Sequence, residues 1–363
     1  NGNELGNTEA TFPLTSFIGF SEDGMTAFAM GTGTNPTELH LFSIDLKTMA
    51  IRKVTKTAGV HYVTMNESGE YFIDRYSSLT VAGRTEIIDN TGKILARIHQ
   101  SKNPLSERKA GTVELMELTS NDGIKLHARM IKPSDFDPTK RYPVLVYVYN
   151  GPHVQLVNNR WNGGAPLWMN SLAEDGFIVW SLDGRGSDNR GKDFEQAIHR
   201  QLSVFEMKDQ LTGVKWLQEQ KYVNAEKMAI HGWSYGGFMT TSLMLKSPKT
   251  FKVGVAGGPV IDWSYYEAMY TERYMDQPSQ NPEGYANANL KNHVKNLKGD
   301  LLMIHGTADD IVVMQHNMTF LQTCVDEGVQ VDFFAYPGHP HNVRGKDRVH
   351  LMTKVIEYIK AHL

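Results

Sequence analysis

The stretch Met228-Ala229-Ile230-His231-Gly232-Trp233-Ser234-Tyr235-Gly236-Gly237 decides the reading of this chain. An apolar run that suits a buried strand ends at Gly232, and Phe238 to Leu245 continues with helical character. Between them stands Gly-x-Ser-x-Gly, with Ser234 at its centre. A serine on so sharp a strand-to-helix turn needs small neighbours, which Gly232 and Gly236 supply. The helix start behind it offers free backbone N–H groups and a positive dipole end to a developing oxyanion. The five-residue pattern alone is weak and also describes a tight β–α turn packed on glycines. The strand before it and the helix after it make it a nucleophile elbow.

Working outward, strands alternate with helices. Tyr142 to Val148, Phe177 to Ser181, Lys227 to His231, Val253 to Ala256, Leu301 to His305 and Val331 to Tyr336 read as strands. Pro166 to Ala173, Phe205 to Gln220, Phe320 to Val325 and Val349 to Leu363 read as helices. This alternation predicts an α/β protein with a mostly parallel sheet covered on both faces. On such a fold the acid and the base follow the nucleophile in the order Ser, Asp or Glu, His. Asp309 comes after the strand ending at His305, and His341 after the strand ending at Tyr336. Loops at the carboxyl ends of strands are where these sheets place reactive groups. Asp310 and His339 are near rivals by position, and His339-Pro340-His341 also reads as a metal pair, although no third ligand stands beside it at zinc-like spacing.

Residues 1–105 follow another pattern, and the expected boundary with the hydrolase part, 106–363, falls there. Ser21-Glu22-Asp23-Gly24 precedes the run Met25 to Met30, and Asn66-Glu67-Ser68-Gly69 precedes Glu70 to Tyr76. Each is followed by a further strand pair, Leu39 to Ile44 with Ile51 to Val54, and Thr85 to Ile88 with Ile94 to Ile98. A repeat of about 45 residues with about four strands per unit is the mark of β-propeller blades. A sandwich with two similar hairpin pairs is the plainer alternative. Two blades cannot close a ring and the chain starts at Asn1 without Met or a signal pattern, so the expectation is a processed or truncated part of a longer protein.

Composition bounds the function. A net charge of −3 over 363 residues gives no clustered basic footprint for nucleic acid. The apolar runs are far shorter than the ~20 residues of a membrane-spanning helix. Cys324 is the only cysteine, so no internal disulfide forms. Asp183-Gly184-Arg185-Gly186 lacks the spacing of a nucleotide loop, and Phe205-Glu206-Met207-Lys208-Asp209 looks like a charged helix start; both read as structural.

Several separated motifs together resemble one family. Gly232 to Gly237, Tyr149-Asn150-Gly151-Pro152, Asp183-Gly184-Arg185-Gly186-Ser187, Tyr270-Thr271-Glu272-Arg273-Tyr274 and His305-Gly306-Thr307-Ala308-Asp309-Asp310 are similar to the prolyl oligopeptidase family. The likeness is greatest to its dipeptidyl peptidase IV branch, and there to the bacterial prolyl tripeptidyl aminopeptidases. It is strong over about residues 110–363 and weaker before. The resemblance implies the triad Ser234, Asp309 and His341, with oxyanion donors from the N–H of Tyr235 and the hydroxyl of Tyr149. It assigns Val260, Trp263, Tyr266, Tyr270 and Val312 to a pocket for proline, and Glu267 to binding of the substrate's free amine. A flat apolar ring suits aromatic walls, and an X–Pro amide has no N–H to satisfy. From spacing alone Trp263, Tyr266 and Tyr270 also read as one helix face in the core.

The implied activity is serine exopeptidase cleavage after proline near a free N-terminus, releasing tripeptides or dipeptides and calling for no cofactor and no metal. Acylaminoacyl peptidase or esterase activity on the same fold, and an inactive hydrolase-fold binding module, are the alternatives. The resemblance further implies peptide partners, a homodimer, and a periplasmic or cell-surface location, with a cytoplasmic one left open.

Overall fold

The computed structural model describes residues 7, 8 and 10–363; positions 1–6 and 9 of the expected N-terminal unit lie outside the described residues. Two consecutive four-stranded antiparallel sheets come first. One has the order β1 (Leu14–Phe20), β2 (Thr26–Gly31), β3 (His40–Asp45), β4 (Ile51–Lys53), and the other β5 (Val60–Met65), β6 (Tyr71–Ser78), β7 (Val81–Asp89), β8 (Ile94–Gln100). The turn residues act as their chemistry predicts. Asp23 accepts the N–H of Met25 at 3.0 Å and Asn66 that of Tyr71 at 3.0 Å, while Gly24 and Gly69 adopt φ of 70° and 72°. The sheets share an apolar core in which Phe28 meets Phe72 edge-on at 5.0 Å, with Met30, Leu41, Val54 and Ile88 around them. Four-stranded meanders repeating in sequence are propeller blades. The opening strand of each, β1 and β5, is additional to those expected from the sequence. β1 carries two register irregularities against β2 and exposes Thr15, Ser16 and Phe17, so its alternation is broken.

The second part is an eight-stranded sheet: β9 (Thr112–Thr119), β10 (Lys125–Lys132), β11 (Tyr142–Tyr147), β12 (Ile178–Asp183), β13 (Val223–Trp233), β14 (Val253–Gly257), β15 (Asp300–Gly306) and β16 (Asp332–Tyr336). Their spatial order is β16-β15-β14-β13-β11-β12-β10-β9. From β12 to β16 the pairs are parallel. β10 runs antiparallel to both β9 and β12, a hairpin edge that the sequence reading did not resolve.

Both sheet faces are covered, so the central strands are apolar on both sides. Val144 and Val146 belong to one core with Ile230, Phe238 and Leu243, whereas Leu145 joins the opposite core with Val255, Ile304, Leu351 and Val355. Helices Phe205–Gln218 and Tyr235–Lys246 lie on the first face, and Leu167–Glu174 and Asp347–His362 on the second. Each buried Val or Leu contributes about 1.5–3 kcal/mol relative to exposure. The loop between β11 and β12 is fastened to both blades. Asn159 donates its N–H to Thr37 O at 2.7 Å, Gln155 donates to Pro36 O at 2.8 Å, and Trp161 N–H to Ser77 Oγ at 2.9 Å. Among the described residues no helix is long and apolar enough to cross a membrane.

Candidate active site

Ser234 follows β13 directly and precedes the helix Tyr235–Lys246, with φ 61° and ψ −120°. A non-glycine residue in that region costs on the order of 1–3 kcal/mol, and the surroundings enforce it. A Cβ on Gly232 would collide with the carbonyl oxygens of Gly236 and Val148, and one on Gly236 with Val148 O. The glycines therefore let the turn close against β11. Ser234 N–H donates to Gly257 O at 2.8 Å, fixing the elbow to the end of β14.

Asp309 and His341 are brought together from the ends of β15 and β16. His341 Nδ1 lies 2.7 Å from Asp309 Oδ2. The two loops are laced by backbone bonds: Thr307 N–H to Tyr336 O at 3.0 Å and Ala308 N–H to His339 O at 3.0 Å. Asp309 Oδ1 accepts the N–H groups of Ile311 at 3.0 Å and Val312 at 2.9 Å. Burial alone would raise this carboxyl, but hydrogen bonds from His305 and His341 reverse the effect and hold it far below the ordinary carboxylate range. The rival histidine goes elsewhere, because His339 Nε2 faces Asp347 Oδ2 at 3.0 Å. The two histidines thus serve different carboxylates.

Three supports were not read from the sequence. Trp233 Nε1–H donates to His341 O at 2.8 Å, so the residue before the serine anchors the histidine. Gly258, at φ 46°, lies under the imidazole: a Cβ there would stand 3.2 Å from His341 Cε1. Glu206, buried at the start of the helix Phe205–Gln218, accepts the Tyr235 hydroxyl at 2.6 Å and Ser203 N–H at 3.0 Å. The Ser-x-x-Glu spacing of a helix start was the available signal for the last of these.

Tyr149 follows β11 on a loop held by the buried Asn150, whose Oδ1 accepts Gly184 N–H at 3.0 Å and whose Nδ2 donates to Arg185 O at 2.9 Å. The rings of Tyr149 and Tyr235 stand 6.1 Å apart. Burial pushes the Tyr149 hydroxyl up to about 12, which keeps its proton on and available for donation at neutral pH. The N–H of Tyr235, at the first position of its helix, has no intrahelical acceptor. Arg185 of the glycine-rich loop forms a two-pronged ion pair with Asp209 at 3.0 and 2.6 Å, a scaffold role.

The one-helix-face reading of Trp263, Tyr266 and Tyr270 fails. A short turn Trp263–Tyr265 gives way to extended backbone at Tyr266, and a new helix Ala268–Met275 begins. The three rings nonetheless converge. Trp263 stacks parallel to Tyr270 at 6.0 Å and meets Tyr266 edge-on at 5.6 Å, and Tyr266 meets Tyr270 at 5.2 Å. Val260, Trp263 and Val312 are buried, while Tyr266 and Tyr270 are half-buried. Glu267 is exposed, immediately before the helix Ala268–Met275. Tyr274 packs on Tyr270 at 4.8 Å and lines a cleft of about 830 Å³ together with Pro13, Leu14, His153 and Arg273. The cleft therefore lies between Tyr274 and the first blade.

The arrangement has the parts for acyl transfer: a strained serine, a histidine oriented by a low-titrating aspartate, and donors at a helix start. Comparisons with known proteins show the family. The prolyl oligopeptidase family profile matches residues 167–363, and that of the dipeptidyl peptidase IV N-terminal region matches 5–82. Mouse and human dipeptidyl peptidase 8 are each 30% identical over 349 residues, 92% of this chain and 39% of those proteins. A candidate dipeptidyl aminopeptidase IV of Bacteroides ovatus is 42% identical with a TM-score of 0.93, and Porphyromonas gingivalis dipeptidyl peptidase 4 is 30% identical with a TM-score of 0.93. Each solved structure covers 98% of this chain, which spans 51% of theirs. The chain belongs to the prolyl oligopeptidase family of serine peptidases, with a dipeptidyl peptidase IV-type N-terminal region.

Proposed function

We propose that this chain carries the catalytic centre of an exopeptidase that cuts after proline near a free N-terminus. The 2.7 Å bond between His341 and Asp309, beside the strained Ser234, is the observation that carries this reading. Ser234 Oγ attacks the proline carbonyl carbon while His341 Nε2 takes its proton. The oxyanion receives hydrogen bonds from the Tyr235 N–H and the Tyr149 hydroxyl. His341 then returns the proton to the leaving amine, and water hydrolyses the acyl-enzyme by the same route. Val260, Trp263, Tyr266, Tyr270 and Val312 receive the proline ring.

Two observations favour different product lengths. The relatives reported above are dipeptidyl peptidases by name, which favours dipeptides. Ile311, two residues after Asp309, is half exposed and offers no side-chain hydrogen bond to a dipeptide backbone. With Glu267 near the aromatic cluster to meet a free amine, it favours tripeptides.

The test has two stages. A fluorophosphonate should label wild type and leave Ser234→Ala unlabelled. Turnover of Ala-Pro, Ala-Ala-Pro, blocked acyl-Ala and butyrate ester substrates then separates the peptidase reading from an acylaminoacyl peptidase or esterase. Failure of wild type to label would leave only a binding role.

A further inference from the structure

His305 stands behind the triad carboxylate and has no part in the mechanism above. It is fully buried at the end of β15. Its Nε2 lies 2.6 Å from Val312 O and 3.2 Å from Asp309 Oδ2. Both neighbours are acceptors, so this nitrogen carries the proton; it donates to Val312 O and lies in electrostatic contact with Asp309 Oδ2. Val312 is therefore gripped at both ends of its backbone, its N–H by Asp309 Oδ1 at 2.9 Å and its C=O by His305. Asp309, Val312 and His305 are thus joined by two hydrogen bonds and one 3.2 Å electrostatic contact. Asp309 accepts three hydrogen bonds, from the N–H groups of Ile311 and Val312 on Oδ1 and from His341 on Oδ2, with His305 beside Oδ2.

The consequence is a mechanical link. Val312 shares an apolar core with Trp263, Tyr266 and Tyr270, and Asp309 orients His341. An imidazole that holds the Val312 carbonyl by its N–H and stands against the Asp309 carboxylate couples the two. A second buried histidine holds the backbone segment that carries Val260 and Trp263. His316 Nδ1 accepts the backbone N–H of Ile261 at 3.1 Å, between Val260 and Trp263. Its proton is thus on Nε2, leaving it neutral and, like His305, sequestered from solvent.

We propose that His305 is a positioning residue that sets the Asp309 carboxylate and the Val312 wall of the proline pocket together, so that catalytic competence and selectivity for proline depend on one imidazole. The inference rests on Asp309 being the triad acid and Val312 a pocket wall, as proposed above. A histidine that merely filled space would influence stability without altering discrimination between substrates.

The experiment compares His305→Leu, similar in bulk without a donor, with His305→Gln, whose amide N–H can stand near the position of Nε2. Melting temperature, fluorophosphonate labelling rate, and kcat and KM on Ala-Ala-Pro and Ala-Ala-Ala chromogenic substrates are measured for each. His305→Leu should lower kcat on the proline substrate about 10- to 100-fold and the Pro:Ala ratio of kcat/KM about five-fold or more, and His305→Gln should recover most of both. A folded His305→Leu whose Pro:Ala ratio stays within about two-fold of wild type would overturn the proposal, as would a folded His305→Gln that recovers neither. If His305→Leu does not fold, His305→Asn replaces it, because its shorter amide cannot reach Val312 O. Gln active and selective with Asn impaired supports the link; equal behaviour of Gln and Asn overturns it. Ser234→Ala is run alongside: continued labelling in that variant would indict the triad reading itself, independently of His305.

Discussion

Glu206→Gln should change how the stability of this chain depends on pH. Glu206 is fully buried, and its second oxygen, Oε2, has no hydrogen-bond partner among the described residues. Burial is the main cause that pushes its carboxyl up to about 7 from an ordinary 4.5, against the opposing effect of the Tyr235 hydroxyl and the Ser203 N–H. The folded-state value is the raised one, so the stabilising contribution of the protonated form is fully present below 4.5 and is lost as pH rises through 7. A displacement from 4.5 to about 7, at about 1.4 kcal/mol per pH unit, corresponds to about 3 kcal/mol. Glutamine has no proton to lose and can still accept from Tyr235 and Ser203. Other shifted groups, such as Asp183, raised by burial to about 6, are common to both chains and cancel in the comparison. Urea unfolding of both chains at several pH values from 4.5 to 8 gives the difference. It should move by about 3 kcal/mol in favour of the glutamine variant across that range. A difference that stays constant with pH would refute the reasoning, because Glu206 would then ionise alike in the folded and unfolded chain.

Tyr149→Phe should keep the fold and lower kcat about 10²–10³-fold with little change in KM, as loss of one oxyanion donor does. His341→Ala should nearly abolish fluorophosphonate labelling whereas His339→Ala should label close to wild type, since His339 serves Asp347; the reverse result would move the base to His339. Gly258→Ala puts a methyl 3.2 Å from the His341 ring at φ 46° and should slow labelling about ten-fold or more while the chain stays folded; an unchanged rate would show that the ring has room to yield. Glu267→Gln should cost about ten-fold in kcat/KM on Ala-Ala-Pro if this carboxylate meets the substrate amine, and equal rates would leave Glu267 an exposed residue before its helix.

The fold was legible where one residue type has few alternatives. Glycines at 232 and 236 could not be replaced at the elbow, and the short apolar runs Val144 to Tyr147 and Met228 to Ile230 fit strands buried on both faces. The hairpin β9–β10 escaped because Lys125-Leu126-His127-Ala128-Arg129 mixes charge into its run, and Arg129 is buried by bonds to Leu156 O and Gly163 O that no local pattern announces. The aromatic cluster was legible as composition but not as shape. Its spacing fits one helix, yet the backbone breaks at Tyr266 and it is the break that turns three rings toward one another. Trp233, Gly258 and Glu206 act on the site through partners far away in sequence, which single-chain periodicity does not encode.

The loop that carries Tyr149 also carries Gln155, Asn159 and Trp161, which hold Pro36, Thr37 and Ser77 of the two blades. Few residues separate the proposed oxyanion donor from these moorings, too short a leash to absorb much displacement. A rocking of the blades against the hydrolase part would therefore tug at the oxyanion donor before it disturbed Asp309 or His341, whose strands β15 and β16 lie three and four places from β11. The same leash sets a rule for engineering this chain: insertions between Gly151 and Gln155 would cut the blades loose from the chemistry, while insertions in the exposed turn at Asp23 and Gly24 would leave that connection intact.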